Sequence, residues 1–515
     1  MKGERKLAFI IAMICYLSIN VLLGYISYRR GFKNSADYYM AGKGVNSILQ
    51  GLTNFAATSS SFTMMGAVGF VYGHGLSFLW LGWIWTSIYI LWWVFYAPRV
   101  WFFSRQVPIQ TIGDLAQDYF NFKNTQRYII GIISVLAQIG YIVAQLMAVG
   151  LLFNVLSGIS VTTGVLIALT VVVAYTFIGG LRALIWTDAF QGSLFFIVAI
   201  GTFALFTPLA VQAGFPGTLF NTPEHITFPG SLGTWTPVYA ITYAFAWGMC
   251  FVGLPMFFTR AITPKSERDC RKGVGIGNAL TNLTAWFLMP MVGLMLFVIY
   301  PAMDVKLDLV PATAIFKTFP WLGVIYGVSV AAASISTANS ALIATSNVFY
   351  KDFYERIIKR AITPEEEVKF SRVFVLVVGG ICAFAAALQP DSIVALVGIS
   401  AFLAGILFWC FIAPPCFPKL AWITPIASII AAVVGTVFAS LFVLGGVSAP
   451  FGVHGAVAGW LIAIILLYVL SPLTKKVPAE SQQRYHLQYI TEYFQHVEDN
   501  AKEQTNKIGK SQVSL

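Results

Sequence analysis

About thirteen runs of roughly 20 mostly apolar residues follow one another through this chain, each long enough to cross a bilayer as a helix. They fall near 7–28, 48–71, 76–98, 127–155, 160–178, 184–208, 237–260, 273–300, 321–349, 369–388, 392–414, 421–445 and 455–471. In hydrocarbon every backbone N–H and C=O must be satisfied internally, so runs of this length form helices. The expected fold is therefore an all-α polytopic membrane protein, with residues 1–475 as the transmembrane domain and 476–515 as a polar tail. The first run is too long for a signal-peptide core and has no evident cleavage site, so it counts as a span. Composition agrees: 58% of residues are hydrophobic and 10% charged, against about 25% charged in soluble proteins. That excludes a soluble enzyme, a disordered chain and a nucleic-acid-binding module.

The basic residues orient the bundle. Of 32 Lys and Arg, only Lys2, Arg5, Lys6, Lys306 and Lys317 fall outside one alternating set of connections, to which the C-terminal tail also belongs. The positive-inside rule places that set in the cytoplasm, with the N-terminus outside and the C-terminus inside, as an odd span count requires. The net charge of +11 is then a topology signal and calls for no nucleic acid. The expected location is the plasma membrane, which is the inner membrane if the source is bacterial.

Motifs of catalysis are absent. Six Cys show no metal-ligand spacing. His74, His225 and His454 fall in or beside outside loops and His486 and His496 in the tail, an arrangement unlike a proton relay. Gly273, Gly275 and Gly277 form a G-x-G-x-G with no strand before it, which reads as a flexible entry to the eighth span. The segment 209–236 reads equally as an ordered cap or a plain linker. In the tail, Leu487, Ile490, Phe494 and Val497 follow helical spacing, which suggests a short amphipathic helix lying on the bundle or the membrane surface.

Three spans carry polar clusters. The second holds Thr53, Asn54, Thr58, Ser59, Ser60, Ser61 and Thr63; the seventh holds Gly248, Gly253 and Pro255; the ninth holds Ser334, Ser336, Thr337, Asn339, Ser340, Thr345, Ser346 and Asn347. Singly, small polar residues serve close helix packing. Clustered, their hydroxyls and any unwound carbonyls form hard oxygen ligands for small hard cations. Interrupted helices at matching places in two halves mark the central site of a transporter, and the second and seventh spans each open a five-span unit. Asp188, near the start of the sixth span, costs roughly 2.5–3.5 kcal/mol at the bilayer centre unless it is paired or lines an aqueous path. It reads either as a partner of Arg182 or as an acid at the inner mouth of an ion pathway.

These residues resemble the sodium:solute symporter family. Ser35-Ala-Asp-Tyr-Tyr-Met-Ala-Gly-Lys43 is similar to the family's entry to its second span, with Lys43 where Arg is usual. Ala174–Ala183 and Ile185-Trp-Thr-Asp-Ala-Phe-Gln191 are similar to its signature around the fifth and sixth spans. Ile335-Ser-Thr-Ala-Asn-Ser-Ala-Leu342 and Lys351-Asp-Phe-Tyr354 are similar to its ninth span and exit. The resemblance, covering 7 to about 445, implies a leucine-transporter-like core of five plus five inverted-repeat spans at about 46–414, with one span before it and two after. It implies sodium as coupling ion and no organic cofactor. By position, the sodium site falls on the carbonyls of Ala56, Ser59 and Ala333 and the hydroxyls of Ser336 and Thr337. A second sodium site, present in some members, would fall on Asp188, Ser336, Asn339 and Ser340, with Asn339 replacing the usual hydroxyl.

The solute pocket of proline-type members corresponds to Tyr141, Trp247, Phe251 and Pro255, with Phe251 in place of a Tyr; Thr58 stands where those members carry an Asp. The third span has no acid, Asn or Gln, unlike sugar-type members, while Gly253-Leu-Pro255 and the Ser336–Asn339 run are closer to pantothenate- and monocarboxylate-type members. The expected function is sodium-driven import of a small carboxylate such as an amino acid, pantothenate or a monocarboxylate. The expected partners are that solute, sodium and the lipid bilayer, with a monomer as the working unit. The competing readings are a proton-coupled or sensor-like protein of the same fold and, more remotely, a membrane-embedded enzyme, which would need convergent catalytic groups at one membrane face.

Overall fold

The computed structural model describes residues 2–28, 39–231, 233, 235–358, 363–390, 393–445 and 447–499, and in these the fold is all helical apart from one isolated bridge between Val45 and Pro264. The entry motif before Tyr39 lies outside the described residues. Each expected span coincides with helix. Among the described residues nine helices are long and apolar enough to cross a membrane, ten with the bent pair Pro237–Gly253 and Pro255–Ile262. The count of thirteen is approximate because three expected spans escape such a test. The second is broken into Ser47–Thr58 and Ala67–His74. The third lies on Leu76–Gln106. The fifth is the start of a helical stretch, Val161–Gln212, that continues into the sixth. At 1.5 Å per residue its 52 residues would run about 78 Å if straight, more than twice the hydrocarbon thickness.

Burial sorts the helices into core and rim. The ninth span, Pro320–Phe349, is buried around almost its whole circumference, and the fourth, Asn124–Ser157, along most of its length. The first span, the tenth (Pro364–Ala387) and the twelfth (Pro425–Val443) leave large apolar side chains such as Leu22, Phe384 and Val437 exposed, as lipid-facing helices do. The polar clusters thus sit on the helices that lipid does not reach.

Two expectations change here, and one open reading is decided. Gly273 and Gly277 lie inside the helix Glu267–Thr281, and their role is close approach rather than flexibility. A Cβ on Gly277 would stand 2.8 Å from the Gly51 carbonyl, and one on Gly273 2.4 Å from Gln50. They seat the eighth span against the second. Of the two readings of 209–236, the ordered cap holds: Ser77 Oγ donates to the Thr227 carbonyl at 2.7 Å, Ser231 Oγ to that of Gly73 at 2.6 Å, and the His225 ring stacks on Phe297 at 3.7 Å. Gly75, at φ +77°, lets the chain turn where a side chain would strike the His225 carbonyl.

The tail does form a helix, through 479–499, but a different face docks. Leu487 and Phe494 are exposed, whereas Tyr485, Tyr489 and Tyr493 are buried at four-residue spacing against Phe102, Phe103 and Tyr119. Tyr485 Oη and Arg484 both bond Asp118 at 2.6 and 2.7 Å, and His486 bonds the Pro414 carbonyl at 2.8 Å. Aromatic bodies with polar tips suit a protein surface that is half apolar and half carboxylate and carbonyl.

Candidate functional site

The second span breaks where its sequence offers the backbone other partners. Helix ends at Thr58, and Ser59 is extended at φ −94°, ψ 103°. Hydroxyls in a row compete with main-chain hydrogen bonding and weaken a helix. The freed groups are taken up locally: the Ser61 N–H donates to Gln145 Oε1 at 3.0 Å and the Phe62 N–H to Ser60 Oγ at 3.2 Å. The seventh span breaks at Leu254, with ψ 134°, and Pro255 opens the next helix at a 52° bend. Gly253 is obligatory there, since a Cβ would fall 1.8 Å from the Ala404 carbonyl oxygen.

Beside the first break, the ninth span brings up its hydroxyls. Ser336 Oγ lies 3.2 Å and Thr337 Oγ1 3.4 Å from the Ala56 carbonyl oxygen, and Thr337 Oγ1 also lies 3.0 Å from that of Ala333. Ser59, next to the break, is fully buried and its hydroxyl has no hydrogen-bond partner. The cluster is uncharged, buried and built of oxygen from one helix of each repeat. Among the described residues no three His, Cys, Asp or Glu gather as a metal site. Hydroxyls and carbonyls without thiolate or imidazole suit a hard monovalent ion.

Below it, Asp188 is fully buried and pairs with Arg260; the Arg182 side chain, the other partner considered, lies outside the described residues. Arg260 was grouped above with the cytoplasmic loop cations. It sits instead inside the bundle, 2% exposed, on the second half of the broken seventh span. Its Nη2 donates to Asp188 Oδ2 at 3.0 Å and to Ser340 Oγ at 2.7 Å, and its Nε to Thr53 Oγ1 at 3.3 Å. Asp188 also accepts from Thr53 Oγ1 at 2.5 Å and from Ser336 Oγ at 2.9 Å. The pair therefore ties together the second, sixth, seventh and ninth spans. Asn339, beside Ser340 in the chain, is fully buried as well.

The residues carried over for the solute divide. Trp247 stacks on Phe62 at 4.6 Å, just past the first break, and Phe251 stands edge-on to Trp85 at 5.1 Å. Trp286 adds a third indole, 5.0 Å from Trp85. The indole N–H groups of Trp85 and Trp286 are buried without an acceptor. Tyr141 is buried on the fourth span, at helical spacing from Gln138 and Gln145, two amides that the sequence reading passed over. Their seven-residue separation inside an apolar run was the available signal. Thr58 turns away: its hydroxyl bonds Thr281 Oγ1 at 2.6 Å and its own helix. At the end of the bundle opposite the tail helix, a cavity of about 570 Å³ opens between Phe70, His74, Trp235, Tyr239, Tyr243 and His454. Tyr243 connects it to Trp247, ring to ring at 5.8 Å.

The model of the sodium:solute symporter family matches residues 38–414. The chain belongs to the sodium:solute symporter family. It is a sodium-coupled symporter of a small organic solute, a multi-pass plasma-membrane transporter and not an enzyme. Sodium/proline symporters of Staphylococcus aureus strains, among them RF122 / ET3-1 and NCTC 8325 / PS 47, are 27% identical over 503 residues, covering 90% of this chain and 93% of theirs. Among solved structures, a substrate-bound, outward-open Na+-coupled sialic acid symporter superposes with a TM-score of 0.78 at 21% identity, over 91% of this chain and 98% of that one. Mhp1, a nucleobase-cation-symport-1 family transporter, gives 0.53 at 14% identity over 89% of this chain and 99% of its own. At these identities the likeness is one of fold, and it is the leucine-transporter fold.

Proposed function

We propose that this symporter carries a small carboxylate, such as an amino acid, pantothenate or a monocarboxylate, with sodium held by the carbonyls of Ala56, Ser59 and Ala333 and the hydroxyls of Ser336 and Thr337. The observation that carries the reading is the convergence of Ser336 and Thr337 on the Ala56 carbonyl at the break of the second span. An ion there draws the two repeats together and fixes the unwound backbone beside it. The solute lies against Trp247, Phe251, Pro255 and Tyr141, with Gln145 within reach through the break. The unpartnered indole donors of Trp85 and Trp286 and the positive end of the helix that starts at the break favour an anionic group over a neutral sugar. The name of the staphylococcal relatives makes L-proline the first solute to test. Sodium enters from the outside, where the N-terminus lies, and leaves on the side of the C-terminal tail.

The test is uptake of labelled L-proline, pantothenate and lactate into proteoliposomes with and without an inward sodium gradient. Losing one hydroxyl to a cation removes about 1.5–3 kcal/mol, so Ser336→Ala and Thr337→Ala should each raise the sodium concentration for half-maximal uptake by about tenfold or more. Unchanged sodium dependence in both variants would overturn the site. Absence of sodium-stimulated uptake across the panel would overturn the carboxylate reading.

A further inference from the structure

The place where a second sodium would sit already holds a positive charge. The oxygens of Asp188, Ser336 and Ser340 face one another below the first site, and Arg260 Nη2 lies among them, 3.0 Å from Asp188 Oδ2 and 2.7 Å from Ser340 Oγ. We propose that Arg260 is a built-in cation: its guanidinium fills the second cation position, so this symporter binds a single sodium ion, at the Ala56–Ser336–Thr337 site. The proposal rests on that assignment of the first site.

Three features carry it. The first is charge. Asp188 and Arg260 neutralise each other in the buried interior, and a sodium ion about 4 Å from a guanidinium would bind about a thousandfold more weakly there than beside the carboxylate alone. The second is permanence. A guanidinium stays protonated at any physiological pH and cannot dissociate; Arg260 is further fixed by the Met256 carbonyl one turn earlier, 3.2 Å from Nη1.

The third feature is the hydroxyl of Ser336, which belongs to both sites. Its Oγ is 3.2 Å from the Ala56 carbonyl and 2.9 Å from Asp188 Oδ1, and it has one proton to give. A sodium ion bound beside Ala56 takes the lone pairs of Oγ and turns that proton to Asp188. Ion binding above thus strengthens the hold on Asp188 below, and through Arg260 reaches the seventh span without a second ion. Ser336 acts here as a positioning residue, linking an exchangeable cation to a fixed one.

Equilibrium binding of 22Na+ to the purified full-length protein, with no solute present, reads the count directly. Wild type should saturate at one ion per chain. Arg260→Gln should saturate at two, because sodium then compensates Asp188, and its thermal stability should rise with sodium concentration. Arg260→Gln combined with Asp188→Asn should return to one. Two ions per wild-type chain, or one in a folded Arg260→Gln protein, overturns the proposal. Should Arg260→Gln fail to fold, the wild-type ratio decides alone. Failure of the carboxylate reading appears separately, as missing sodium-driven uptake with sodium binding intact.

Discussion

Asp188 and Arg260 share the buried interior because each compensates the other. Removing one partner of such a pair leaves an uncompensated charge and costs about 3–5 kcal/mol. Asp188→Ala should therefore lower the melting temperature of the detergent-purified protein by many degrees, while Asp188→Ala with Arg260→Met should recover most of that loss; equal melting of the single and double variants would show that the pair does not act as a unit. These two residues also mark the limit of what the sequence discloses. The hydroxyls of the second and ninth spans and Asp188 were legible because polar atoms stand out against an apolar run. Arg260 was not, because a basic residue near the end of a span looks like any other topology signal. Only the break at Leu254, by starting a new helix, carries it inward. Gln138 and Gln145 were lost for the converse reason, as single amides in a long apolar stretch.

At the scale of elements, breaks and crossings are set by backbone proximity. Adding a methyl at Gly253 forces the seventh span off the Ala404 carbonyl, and strain of this kind costs about 1–3 kcal/mol. Gly253→Ala should depress both uptake and thermal stability, whereas Gly275→Ala, on the same helix as Gly273 and Gly277 but facing open space, should leave both unchanged within error. The tail helix was foreseeable from its periodicity, but its docking face was not. Hydropathy favoured Leu487 and Phe494, while the surface it meets offers Asp118, the Pro414 carbonyl and the Phe102 and Phe103 rings, which match tyrosine better. Tyr485→Ala deletes a fully buried aromatic, a change worth about 3–5 kcal/mol. It should release the helix and make the buried Cys416 reactive to a maleimide added from the side of the tail helix; protection equal to wild type would show the helix held by its other contacts.

For the whole molecule, the cavity at one end and the docked tail helix at the other give a bundle open toward one side of the membrane. Two histidines line the open end. Burial, helped at His74 by the neighbouring His225, lowers His74 to about 4, and burial lowers His454 to about 4. Both rings therefore favour the neutral form near neutral pH, and the mouth they line is largely aromatic. A proton-coupled mechanism using these rings would need them to exchange protons near neutrality, which their burial disfavours. Sodium-driven uptake should accordingly be flat between about pH 6.5 and 8. Stability has a definite sign: an unfolded histidine titrates near 6.5, so the folded state, which refuses the proton until about 4, loses stability as pH falls from about 6.5 toward 4. Replacing His74 and His454 with Gln should remove most of that acid sensitivity while leaving the neutral-pH uptake plateau in place. A bell-shaped uptake profile centred near neutrality in wild type, lost in the double variant, would instead assign proton movement to the mouth.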